Sequence, residues 1–185
     1  MSQEYKIIDT TSSLDSFFFD QLHLLNQKQT GPLDTSLIYY SAQVLTEFTP
    51  STQAFETTEE GKIQEKILGE KYLRASQLSK AGQKRTYKEI GDTCLFFCGL
   101  FSEAFNKKLI DGSYYFSLGK SSYNKLNTLL PNFIQGKNFF LHLSDSFESL
   151  VYLLNIFASN LQSVSKDQQE WPLLILGSKN QLKAG

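Results

Sequence analysis

The chain has 185 residues, with 18 basic and 19 acidic side chains and a formal net charge of −1. At 41% hydrophobic and 20% charged it has the composition of one folded domain, large enough to bury a core without metal or disulfide staples. The near-zero charge argues against a dedicated nucleic-acid binder, which must neutralise several phosphates. No run of about 18 apolar residues offers a membrane span.

The first dozen residues are polar apart from Tyr5-Lys6-Ile7-Ile8 and read as a flexible arm. Ser12 or Ser13 can cap a helix over about 13–28, with Leu14, Phe17, Phe18, Leu22 and Leu25 on one stripe. Thr30-Gly31-Pro32 ends it, and Asp34 caps a second helix over about 35–48 carrying Leu37, Tyr40, Val44 and Phe48. Residues 50–61 are polar and aperiodic, the pattern of an exposed loop. A third helix over about 59–79 shows Ile63, Ile67, Leu68, Tyr72, Ala75 and Leu78 with charged residues between them. Its polar face reads as solvated and includes the favourable order Glu70 then Arg74.

The fourth segment, about 82–108, is apolar nearly all round: Ile90, Cys94, Phe97, Phe101 and Phe105 form one stripe, and Leu95, Phe96, Leu100 and Ala104 fill much of the rest. Without a membrane signal, such a helix is the buried centre of a bundle. Gly91 and Gly99 weaken its interior by about 1 kcal/mol each, a cost that a closely packed neighbour can offset. Asp111-Gly112 then turns the chain into a fifth helix of about 113–130, stopped by Pro131. A sixth, about 138–163, carries a possible break or cap at Asp145 and Ser146. After Trp171-Pro172, the run Leu173-Leu174-Ile175-Leu176 is ambiguous between strand and helix. The expected fold is a single-domain, all-α bundle of about six to eight helices.

Chemical motifs are sparse. Gly119-Lys120-Ser121 has the closing letters of a phosphate-binding P-loop, yet the glycine required five positions earlier is Tyr114. No Gly-x-Ser-x-Gly elbow is present. Cys94 and Cys98 lie one helical turn apart among Leu95, Phe96, Phe97 and Leu100, which predicts buried free thiols and not a nucleophile or a disulfide. With His23 and His142 distant in sequence and no Glu-x-x-His pair, no zinc, di-iron or haem site is expected.

Asp92 stands at the head of the apolar run and has two readings. The simpler places it on a helix position still outside the core. The other buries its carboxylate to accept hydrogen bonds from Tyr115, Tyr123 or Lys120 on the next helix. Gly119 and Tyr123, four apart, would share a face there.

The run Tyr87-Lys88-Glu89-Ile90-Gly91-Asp92, with Leu95-Phe96, Gly99 and Phe101 and then Tyr114-Tyr115, Gly119 and Tyr123, resembles a family of uncharacterised bacterial helical proteins. Their pattern reads Leu-Gly-Asp, Leu-Phe-x-x-Gly-Phe-Phe, Tyr-Tyr-x-x-x-Gly-x-x-x-Tyr; here Ile90 replaces the leucine and Leu100 one phenylalanine. Asp34 to Phe48 is similar to an earlier helix of that family. Trp171 with Gly177-Ser178 is similar to its tail, from which Pro172 departs. The resemblance implies that Asp92, Gly119 and Tyr123 belong to one structural unit; it implies no activity.

The function expected from these readings is a non-enzymatic protein-interaction module in the cytoplasm, with a protein partner or a second copy of itself, no nucleic acid and no cofactor. The alternative is a small-molecule or lipid-binding bundle with a pocket near Asp92, Tyr115 and Tyr123. An enzyme using Asp, Tyr and Lys for acid–base work is a third. Candidate ligand or interaction residues are Asp92, Tyr114, Tyr115, Gly119 and Tyr123. Lys80, Lys84, Arg85 and Lys88 read as a solvated helix end.

Overall fold

The computed structural model describes residues 14–48, 58–101, 112–131 and 138–165, with side chains except at 58–66 and 162–165. The arm expected at the amino terminus, residues 49–57, residues 102–111 and everything from 166 onward lie outside the described residues; of the loop expected over 50–61, residues 58–61 instead belong to a helix. Seven helices account for the described chain: α1 Leu14–Gln27, α2 Thr35–Phe48, α3 Thr58–Ala75, α4 Lys80–Leu100, α5 Gly112–Thr128, α6 Phe139–Asp145 and α7 Phe147–Ser165. No strand occurs among the described residues.

The breaks follow local chemistry. Past α1, both backbone groups of Leu33 bond to the Asn26 amide at 2.9 and 2.8 Å, which pins the Thr30-Gly31-Pro32 turn to the helix it leaves. The Asp34 carbonyl then accepts the N–H groups of Leu37 and Ile38 and starts α2. Helix α4 begins at Lys80, two residues before the sequence expectation, because the Ser79 hydroxyl caps it by accepting the Gly82 N–H. It also ends earlier than expected, where Phe101 leaves helical geometry at φ −111°, ψ 33°. The break expected at Asp145 and Ser146 is present: Ser146, at φ −88°, ψ 4°, separates α6 from α7 while its N–H still bonds the His142 carbonyl.

Helix α4 is the centre, as its all-round apolarity predicts, and every residue from Ile90 to Leu100 is buried. It packs most extensively against α5 and then α7, with α3 and α2 completing its surround; α1 pairs with α2, and α6 lies on α5. One aromatic-rich core runs through these contacts. Phe96 of α4 stacks on Phe48 of α2 at 5.1 Å, Phe18 of α1 meets the edge of Phe157 of α7 at 5.8 Å, and Phe116 of α5 meets Phe147 of α7 at 5.2 Å. Such pairs contribute about 0.5–1.5 kcal/mol each beyond the area they bury.

The close approach of α4 to α5 depends on two glycines. A Cβ on Gly91 would stand 2.6 Å from the Tyr123 ring, and one on Gly119 would stand 2.5 Å from Phe147 and 2.8 Å from Cys94 Cβ. Gly99 does the same for α7, where Leu154 occupies the space of the missing side chain. The helix-propensity cost at these positions is thereby exchanged for packing against a neighbour.

Candidate functional site

Asp92 is 2% exposed, so the reading that placed it outside the core is corrected. Three elements converge on its carboxylate. The Tyr40 hydroxyl on α2 donates to Oδ1 at 2.6 Å, and the Tyr123 hydroxyl on α5 donates to the same oxygen at 2.8 Å. Lys88, one turn earlier on α4, donates from Nζ to Oδ2 at 2.5 Å. Its ammonium also sits 5.4 Å from the centre of the Tyr40 ring, within cation–π range. Lys88 therefore stands apart from Lys80, Lys84 and Arg85 on the helix end: its half-exposed side chain pairs with the buried Asp92 carboxylate.

The rings around this group are packed as closely as the hydrogen bonds. Tyr40 meets Tyr123 edge-on at 6.2 Å, Phe139 and Phe140 of α6 flank Tyr40, and Phe140 stacks on Tyr123 at 6.1 Å. Burial in this apolar shell pushes the Asp92 carboxyl above the usual carboxylate range, opposed by the Lys88 ammonium and by the hydrogen bonds from Lys88, Tyr40 and Tyr123. Tyr40 and Tyr123 are pushed well above the ordinary phenol value, first by burial and then by the neighbouring Asp92 charge. The two phenols are thus held as neutral donors and the carboxylate as their acceptor. Chemically the arrangement is a knot tying α2, α4 and α5 together. A general base must reach a proton on its substrate, and both oxygens here are already engaged by the fold.

Three of the five sequence candidates meet at one place, and the other two lie apart from it. Asp92 and Tyr123 are joined directly, and Gly119, one turn before Tyr123, sets how closely the two helices approach. Tyr115 is fully buried two turns earlier, about 12 Å along α5, with its ring 5.5 Å from that of Phe97. Tyr114 is half-buried and leans on α3, where its hydroxyl occupies the space beside Gly69. The expected donor Lys120 points elsewhere, with its ammonium 5.8 Å from the Phe116 ring.

Two members of the knot escaped the sequence reading. Tyr40 was placed on the apolar stripe of α2, where its ring does belong. Lys88 carried a legible signal, the four-residue spacing to Asp92 that puts both on one helix face.

The remaining reactive groups are quiet. Burial raises Cys94 well above the ordinary thiol value and pushes Cys98 up to about 12, so neither offers a thiolate near neutrality. Among the described residues no group of three or more His, Cys, Asp or Glu side chains could hold a metal ion, and no helix is long and apolar enough to cross a membrane. A half-open cleft of about 330 Å³ lies between the α1–α2 turn and the start of α7, and none of the five candidates lines it. Comparison of the chain with protein-family models, curated proteins and solved structures finds no match in any of the three.

Proposed function

We propose that this chain is a non-catalytic helical interaction module, a rigid bundle whose surface engages another protein, a second copy included. The observation that carries the reading is the use made of Asp92. The buried carboxylate has both oxygens engaged, Oδ1 by Tyr40 and Tyr123 and Oδ2 by Lys88, so the fold uses it to hold three helices in register. Aromatic and aliphatic side chains meanwhile stay on the outside: Tyr39 and Tyr152 are 51% and 59% exposed and Leu73 is 74% exposed. Exposed tyrosines on a rigid scaffold are the side chains that association uses most.

The test is light scattering across a hundredfold concentration range, together with affinity capture from a native lysate and repeat binding with the purified partner. The expected outcome is a concentration-dependent mass or a partner retained in fixed stoichiometry. A strict monomer that retains nothing would overturn the reading. Native mass spectrometry of the same sample reads out the alternative, a small-molecule or lipid carrier, as a ligand mass that survives purification.

A further inference from the structure

The cleft between the α1–α2 turn and α7 is built from Asn26, Gln29, Thr30, Gly31 and Leu33 on one side and Glu148, Ser149, Tyr152 and Leu153 on the other. Its volume of about 330 Å³ suits one large side chain or a short peptide segment. Asn26 is not available to an occupant, since its amide is taken by both backbone groups of Leu33. That bond holds the turn rigid, and Leu33 and Leu153 supply an apolar lining.

The charge in the cleft has one sign. Glu148 is exposed at its rim and forms no ion pair among the described residues. An acidic residue in the first turn of α7 is already favoured by that helix's own dipole. That preference accounts for Glu148 alone. It does not account for Tyr152, one turn further along the same helix, which is 59% exposed and lines the same cleft. A carboxylate and an open aromatic face at the mouth of one cleft select a cation that is also planar. A guanidinium can stack on the ring while its N–H fork meets the carboxylate, which a compact ammonium does less well. An anionic ligand would meet Glu148 with like charge.

We infer that this cleft receives an arginine side chain presented by a protein partner, with Tyr152 stacking on the guanidinium and Glu148 accepting its N–H groups. The inference rests on the interaction reading and names the chemistry of the partner. The probe is N-acetyl-arginine N-methylamide, titrated against 15N-labelled full chain, with the neutral citrulline and the lysine counterparts as controls. Saturable shifts confined to residues 29–33 and 148–153 are expected with arginine, absent with citrulline and weaker with lysine. Glu148→Gln and Tyr152→Ala, both with the wild-type thermal midpoint, are expected to weaken binding by about fivefold or more. Absence of shifts, equal shifts with citrulline or lysine, or indifference to both substitutions would overturn the assignment. A partner captured by wild type and held equally by both variants refutes this site and leaves the interaction module standing. Arginine binding by a strictly monomeric chain with no protein partner has the opposite meaning: the interaction reading fails, and with it the protein origin of the arginine.

Discussion

Replacing Asp92 by alanine removes the acceptor for two buried phenols and one ammonium at once. Lys88 is only half-buried and can swing its charge to water, so its loss is small. Tyr40 and Tyr123 cannot: both hydroxyls stay inside, and each buried donor without a partner costs about 1–3 kcal/mol. Their sum, about 2–6 kcal/mol, is offset in part by relief of the penalty for burying the carboxylate. A net loss of about 2–4 kcal/mol follows, or a fall in thermal midpoint of about 5–15 °C for a chain of this size. Asp92→Asn keeps one oxygen for the phenols and sets an amide donor against Lys88, so it should lose about 1–2 kcal/mol. Urea unfolding at constant slope measures both. The decisive arm is a double-mutant cycle. Tyr40→Phe and Tyr123→Phe should each destabilise the wild type by about 1–2 kcal/mol and become neutral or stabilising in the Asp92→Ala background. If Asp92→Ala stays within about 0.5 kcal/mol of wild type, or the cycle is additive, the knot does not hold these helices.

Further outcomes follow from the same geometry. Tyrosinate absorbance at 295 nm should show that Tyr40 and Tyr123, out of nine tyrosines, keep their protons as the exposed ones ionise. Because their folded values are raised, their contribution to stability is fully present below about pH 10 and is lost as pH rises toward those values. The urea midpoint should therefore decline above about pH 10, and less steeply in the Tyr40→Phe/Tyr123→Phe chain. Gly91→Ala drives a methyl into the Tyr123 ring; overpacking of about 1–3 kcal/mol should exceed the helix gain of about 1 kcal/mol and lower the thermal midpoint. Cys94 and Cys98 should resist a thiol reagent at neutral pH until urea unfolds the chain, whereupon both react.

Helical periodicity, caps and breakers were enough to place α1, α2 and α5 and the division at Ser146, because those signals act within a few residues of where they stand. The central role of α4 was legible for a related reason: a helix apolar on every side has nowhere stable to lie except inside. The same local logic marked Gly91 and Gly99 as points of close approach. It could not say which neighbour approaches each.

Asp92 shows where local information ends. Its neighbours in sequence leave open whether it faces water or the core, since the choice depends on which helix lies against that side of α4. The structure brings Tyr40 from 52 residues away and Tyr123 from 31 residues away to one oxygen, and takes Lys88 from the same helix for the other. Tyr115 and Tyr123 carry identical side chains on one helix, yet only Tyr123 lies level with Asp92, because the register between α4 and α5 is set where Gly91 and Gly119 let them touch. Residue types, helices and the burial of α4 were determined by the chain's own pattern. Partnership was decided by the tertiary structure, because a hydrogen bond between helices depends on their relative height and rotation, and those are fixed only when the whole core packs.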